Sequence, residues 1–227
     1  DRFLLWRGLS YKYIREKIRI AKIRSAIMRP RGNYFLPLFL SEFRENPEIF
    51  FSKLAEFKPH IIDGRPTVLA ELARFAWNLP AEKIPRPRFI ISTGEVLTPA
   101  ARKTIEDAFG AAVYNLYGLE EVSNIAVECG KHNGMHVFEE SCLVEILDEN
   151  NKPIPGGNFG RVVVTYFNND VMPLIRYDTG DYGRILPGVC DCGLNTFRLE
   201  VYGRYGGFIE IGSKKYHSIE LEMALRG

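Results

Sequence analysis

Apolar residues recur at helical spacing in the first half of the chain and at strand spacing in the second, with the change near residue 125. Residues 11–28 set Ile14, Ile18, Ala21 and Ser25/Ala26 on one helical stripe, and Pro30 ends it. Asn46 can cap a second predicted helix. Pro47 suits its first position, and Ile49, Phe50, Leu54 and Phe57 lie on its apolar side. A short strand and turn follow at 60–64, then a predicted helix over 66–78 and a connector over 80–87. Residues 88–92 form a buried strand that breaks at Thr93-Gly94-Glu95. Thr98-Pro99 begins the next helix, Gly110 suits its left-handed cap, and 113–116 is again a strand. This alternation of strand and helix predicts a parallel α/β sheet.

Beyond Tyr117 short strands are predicted at 125–128, 135–138, 142–148, 160–167, 183–187, 197–202 and 207–211. Turns fall at 148–151 and 155–157. The expected fold class is therefore α/β: a parallel layer, then a mostly β part. The expected divisions are 1–124, 125–203 and 204–227, the last a hinge and the start of a further unit in which Ser218 caps a helix. The chain begins at Asp1 and stops inside that helix, so both ends read as cut.

Composition narrows the class. The 227 residues are 46% hydrophobic and 26% charged, an ordinary globular balance that supports a core of normal size. A formal charge of +2 gives no bulk argument for a nucleic-acid partner. Basic residues do concentrate between Arg15 and Arg31, where Glu16 is the sole acid. That run reads first as a solvated helix face and second as a surface for phosphates, a membrane or an acyl-carrier protein. No apolar run approaches the ~20 residues of a membrane span, and no signal peptide is visible, so a cytoplasmic location is expected.

Candidate chemistry sits at predicted strand ends, where open α/β sheets bind ligands. Thr93-Gly94-Glu95 follows one strand, and its glycine lets backbone approach a flat ligand. Asn115 to Glu121 spans the end of another: Tyr117 offers an aromatic face, Gly118 close backbone access, and Glu121 the hard oxygen that magnesium prefers. In Tyr177-Asp178-Thr179-Gly180-Asp181 a carboxylate after a tight glycine turn can grip vicinal ribose hydroxyls with both oxygens. Arg176 beside it can serve a phosphate or a structural ion pair. Each segment by itself also reads as a plain polar turn.

In order and spacing these motifs resemble the adenylate-forming superfamily: Thr93-Gly94-Glu95 its adenine loop, Tyr117-Gly118-x-x-Glu121 its aromatic–glycine–Thr–Glu motif, Thr179-Gly180-Asp181 its Thr-Gly-Asp motif, and Gly203-Arg204 its hinge. Residues 58–67 resemble the phenylacetate–CoA ligase-like branch, which includes relatives associated with capsular polysaccharide genes. The resemblance covers roughly 45–222 and implies an acetyl-CoA synthetase-like fold. It implies that Tyr117 stacks on adenine, Glu121 holds Mg²⁺, Asp181 binds ribose and Arg204 approaches ribose or phosphate. The implied reaction is attack of a small carboxylic acid on ATP, giving an acyl-adenylate and pyrophosphate, then transfer to coenzyme A. A homodimer is a further expectation.

The chain departs from the family pattern in several places. The family's Ser/Thr/Gly-rich phosphate loop would lie before residue 1, and its catalytic lysine after Gly227. Glu120 stands where the family usually has Thr or Ser near the α-phosphate, and a carboxylate there repels it unless screened. Gly206-Gly207 replace the usual acidic hinge residue. A non-catalytic homologue that binds AMP or a partner protein is therefore the alternative expectation.

The chain has four cysteines, and Cys190-Asp191-Cys192 is too tight for a routine disulfide, so metal binding is the better reading. Cys129, Cys190 and Cys192 with one imidazole make a closed tetrahedral set for structural zinc. His136, at the start of a predicted strand, and His132, nearer Cys129, compete for the fourth place. The phenylacetate–CoA ligase-like branch has a similar Cys, His, Cys-x-Cys-Gly arrangement, which favours His136. Cys142 reads as plain core.

Overall fold

The structure, a computed structural model, describes residues 2–5, 34–35 and 40–218, together with Leu221 and Ala224. The basic run at 15–31 and its predicted helix lie outside the described residues. Chain contacts divide the protein into two units, Asp1–Val113 and Tyr114–Gly227. The class is mixed α/β, as the alternation requires.

In the first unit β1 (Arg2–Leu5), β2 (Tyr34–Phe35), β3 (Ile61–Gly64) and β4 (Phe89–Thr93) form a parallel layer in the order β2-β1-β3-β4. Among the described residues four α-helices accompany it: α1 (Leu40–Glu45), α2 (Pro47–Phe57), α3 (Pro66–Ala76) and α4 (Pro99–Phe109). Their starts follow from local chemistry. Asn46 Oδ1 accepts from the Ile49 amide, and Thr98 Oγ1 from the Ala101 amide, each satisfying an amide that a helix leaves orphaned. Proline fills the first position of α2, α3 and α4. Gly110 ends α4 at φ 64°.

The core joins Phe43, Phe50, Phe51 and Leu54 to the buried face of α3 and to Ile62, Ile90 and Ile105. Phe43 meets Phe50 edge-on at 5.4 Å, and Phe51 stacks on Phe75 at 5.5 Å. One expectation is corrected here. Ile49 is 54% exposed and Phe51 takes the buried place, because α2 turns Phe50, Phe51 and Leu54 inward.

The second unit is a sheet in the order β5-β6-β7-β11-β10-β9-β8, every pairing antiparallel. The strands are β5 (Val113–Leu119), β6 (Ser123–Glu128), β7 (Met135–Val137), β8 (Cys142–Leu147), β9 (Gly160–Tyr166), β10 (Tyr177–Leu186) and β11 (Arg198–Arg204). β12 (Phe208–Ile211) and β13 (Lys214–His217) form a separate hairpin. Alternate residues of these strands, including Ile125, Met135, Val162, Val164 and Leu199, build one core cluster.

Several strand limits differ from expectation. β5 runs on to Leu119, so Tyr117 and Gly118 lie within the strand and not after it. β10 begins at Tyr177, not near 183, because Thr179-Gly180 is a bulge within a strand and not a turn between strands. β13 was not expected as a strand; its alternation is masked by Lys214 and Lys215.

Candidate functional site

The carboxyl ends of β3 and β4 lie side by side, with Gly64 opposite Ser92. Thr93-Gly94-Glu95 leaves this edge, and Gly94 turns at φ 83°. Glu95 reaches back to the start of α3. Its carboxylate accepts from Thr67 Oγ1 at 2.7 Å and the Thr67 amide at 3.3 Å, with Arg65 at 3.8 Å. Arg65, the N-cap residue of α3, gives no side-chain cap, so Glu95 supplies the anion that the helix start favours. Glu95→Ala should cost about 1 kcal/mol of stability, the usual worth of a cap, measured by denaturant unfolding. Beside it the Ser92 hydroxyl is fully buried with no hydrogen-bond partner among the described residues.

In the second unit β5 carries Tyr117 and Gly118, and the tight connection to β6 carries Glu120 and Glu121. Register shifts between Tyr117 and Gly118. A side chain at Gly118 would meet the Ser123 carbonyl at 2.5 Å, so strand pairing alone requires glycine there. β10 brings Asp181 to Tyr117, whose hydroxyl donates to Oδ2 at 2.7 Å. Arg204, the last residue of β11, places Nη1 3.4 Å from Asp181 Oδ1 and donates to the Thr179 carbonyl at 3.0 Å. Glu121 is exposed at the hairpin tip and accepts from the Tyr177 hydroxyl at 3.3 Å.

Asp181 is 7% exposed. Burial raises its pKa above the ordinary aspartate value, opposed by the Tyr117 hydroxyl and the Arg204 charge. Burial, then the Asp181 charge, holds the Tyr117 phenol neutral far above its usual range. Tyr177 is also raised, chiefly by the Glu121 charge. The result is a buried carboxylate between a phenol and a largely exposed cation: the Arg204 side chain is 72% exposed. Such a group can accept two hydroxyl donors from one sugar. Tyr117, Asp181, Arg204, Tyr177 and Glu121 are thus brought together, while Thr93, Gly94 and Glu95 belong to the first unit's own edge.

A second constellation joins the end of β6, strand β7 and the β10–β11 connection. The ligand atoms of Cys129, His136, Cys190 and Cys192 all lie within 4.8 Å of one another. Cys129 and Cys190 sulfurs are 3.7 Å apart, and Cys192 Sγ is 3.3 Å from His136 Nε2. Two thiolates bound to one tetrahedral zinc at ~2.3 Å would sit ~3.8 Å apart, so the donor set and spacing fit that ion.

The Lys131 and Leu194 amides donate to the sulfurs of Cys129 and Cys192 at 3.4 Å each. The His132 amide closes a turn on the Cys129 carbonyl, and the Gly193 amide closes one on the Cys190 carbonyl. His136 Nδ1 meets Thr196 Oγ1 at 2.9 Å, which orients Nε2 toward the sulfurs. Burial lowers the His136 pKa, favouring the neutral, ligating imidazole. His132 lies elsewhere, 3.2 Å from Glu128 and tilted over Tyr114. Cys142 is buried against the Ile125 and Phe138 carbonyls, its thiol pushed up to about 11 by burial. Thr196, and Arg198, which braces the carbonyls of Asn133, Pro187 and Gly188, carried no signal in the sequence.

A family model described as AMP-binding enzyme matches residues 37–169. The chain belongs to that family. A phenylacetate-coenzyme A ligase of Thermus thermophilus is 30% identical over 182 residues, 76% of this chain and 40% of the relative. Protein CapK of Staphylococcus aureus is 30% identical over 137 residues, 60% of this chain and 29% of the relative. The chain therefore spans well under half of these curated relatives. Among solved structures, a 2-hydroxyisobutyryl-CoA ligase in the postadenylation state superposes with TM-score 0.79 at 23% identity, over 100% of this chain and 48% of that one. A benzoate CoA ligase from Burkholderia xenovorans superposes at 0.61, with 22% identity, over 86% of this chain and 40% of that one. At such identities the likeness establishes the fold, an acyl-CoA synthetase-like α/β architecture. Among the described residues no helix is long and apolar enough to cross a membrane.

Proposed function

We propose that the full protein activates a small carboxylic acid with ATP as an acyl-adenylate and passes the acyl group to coenzyme A. The observation that carries this reading is the meeting of Tyr117, Asp181 and Arg204, with a buried carboxylate 2.7 Å from the phenol. Asp181 takes the ribose hydroxyls, Tyr117 walls the adenosine, and Arg204 supplies positive charge near ribose or phosphate. Glu121 holds Mg²⁺, and by the family resemblance Thr93-Gly94-Glu95 keeps the role of an adenine loop on the first unit. Chemistry of this kind depends on positioning and charge neutralisation, not on a protein nucleophile.

The cysteine–histidine set holds a structural zinc that ties the β6–β7 hairpin to the β10–β11 connection. Functionally we keep the division into 1–124, 125–203 and a hinge-containing 204–227. Full-length protein should release pyrophosphate from ATP in the presence of a cognate acid from a panel of aryl and fatty acids. Silence across the panel together with no AMP binding removes the proposal.

Exposed Glu120 at the hairpin tip favours a second reading, a homologue that binds AMP without turnover. Calorimetric AMP binding with no acid-dependent pyrophosphate would select it.

A further inference from the structure

We infer that Arg161 is a positioning residue for the ribose site, fixing through Asp178 the strand bulge that aims Asp181. The inference rests on the nucleotide reading of Asp181 given above. β9 and β10 pair Asp178 with Val163 and Asp181 with Val162, so Thr179 and Gly180 are extra residues in the ladder. A bulge re-aims the side chains that follow it, and its shape must be held by contacts outside the ladder.

Three such contacts come from close by. Thr179 Oγ1 donates to the Val162 carbonyl at 2.8 Å, the Asp181 amide donates to Thr179 Oγ1 at 3.1 Å, and the Tyr205 amide donates to the Gly180 carbonyl at 2.8 Å. The fourth is the Asp178 carboxylate. Oδ1 accepts from the Gly180 amide at 3.0 Å, and Oδ2 is gripped by Arg161 Nη1 at 2.5 Å. Gly180 stands at φ 70°, so the bulge is a conformation that other residues resist.

Arg161 is built as a fixed post. Its side chain is only 17% exposed, against 44% for Asp178. Nη2 donates to the Asp148 carbonyl at 3.0 Å and to Asn151 Oδ1 at 2.5 Å. The 148–151 turn is itself locked, because Asp148 Oδ1 accepts from the amides of Asn150 and Lys152 at 2.8 Å each. The guanidinium also lies 5.9 Å from the Tyr205 ring, next to the hinge. Arg161 Nε is buried with no hydrogen-bond partner among the described residues. The side chain therefore leaves one donor unmet while both ends of its fork are engaged. That fits a group selected for orientation more than for full satisfaction. Aiming both carboxylate oxygens at one sugar tolerates little slip, and displacement of about an ångström can cost two orders of magnitude.

The test compares binding of AMP and 2′,3′-dideoxy-AMP to full-length wild type, Arg161→Met, Arg161→Lys and Asp178→Asn by calorimetry, with thermal melting of each. Wild type should prefer AMP. Arg161→Met should bind AMP about tenfold more weakly and the dideoxy analogue unchanged, with Arg161→Lys in between. Asp178→Asn keeps an oxygen for the Gly180 amide and should show the same ribose-selective loss, which keeps the test alive if Arg161→Met fails to fold. AMP affinity unchanged in both variants, or equal losses for both ligands, overturns the inference. Wild type that does not prefer AMP overturns the ribose reading itself, and the inference with it.

Discussion

Cys190→Ser is expected to strip the protein of one equivalent of zinc and to lower its thermal midpoint by about 10 °C. The size follows from what a closed metal site contributes. Zinc held by three thiolates and an imidazole adds its binding free energy to folding, and losing a few kcal/mol moves a domain of this size by about 2–4 °C per kcal/mol. The four donors come from two turns and one strand far apart in sequence, so an ion held there would close a long loop between Cys129 and Cys192. A strong chelator should reproduce the shift in wild type. Two controls separate metal loss from general damage. Cys142→Ser and His132→Asn both lie outside the cluster and should keep the zinc. Protein purified without zinc, and a midpoint that ignores chelator, would reduce the cluster to thiols hydrogen-bonded to one another. The measurement is metal content by mass spectrometry beside calorimetric melting.

The sequence revealed these features unevenly, and physics explains where. Helix starts were readable because capping is local: Asn46-Pro47 and Thr98-Pro99 carry their instructions within three residues, and the structure places helices there. The parallel layer followed from strands alternating with helices. The face of α2 is not fixed by periodicity, since Phe50 and Phe51 are adjacent and spacing cannot decide which neighbours join them. The Thr179-Gly180 segment looked like a turn because the residues that favour turns also favour bulges; only pairing with β9 distinguishes the two. Ordered motifs join Tyr117 and Asp181 in one site, but the bond between them spans 64 positions and leaves no local trace. Arg161, Thr196 and Arg198 were invisible for the same reason. Each acts on backbone or side chains brought near by sheet register, and an arginine on a strand otherwise reads as a solvent-facing residue.

Asp181→Asn should weaken AMP binding by about a hundredfold while leaving the unliganded protein as stable as before or more so. The two effects have opposite signs for one reason. Burial holds the Asp181 pKa above the ordinary value, so at neutral pH the folded state bears the ionised group less easily than the unfolded chain does. A raised carboxylate pKa destabilises the fold at pH above it, and the cost vanishes as pH falls below the ordinary aspartate value. Asparagine removes the charge, so the cost disappears at every pH, and one oxygen remains for the Tyr117 hydroxyl at 2.7 Å. What asparagine cannot do is accept from two hydroxyls with a full negative charge. Each charge-assisted hydrogen bond contributes about 1.5–3 kcal/mol, so weakening two of them accounts for the hundredfold figure. The Arg204 contact at 3.4 Å adds little, because that side chain is largely in water. Calorimetry with AMP and denaturant unfolding without it, on the same preparation, reads both quantities. Loss of stability together with unchanged affinity would make Asp181 a structural anchor of β10 and remove it from the nucleotide site. Gain in stability with lost affinity is the signature of a group kept in an unfavourable place because a ligand needs it there.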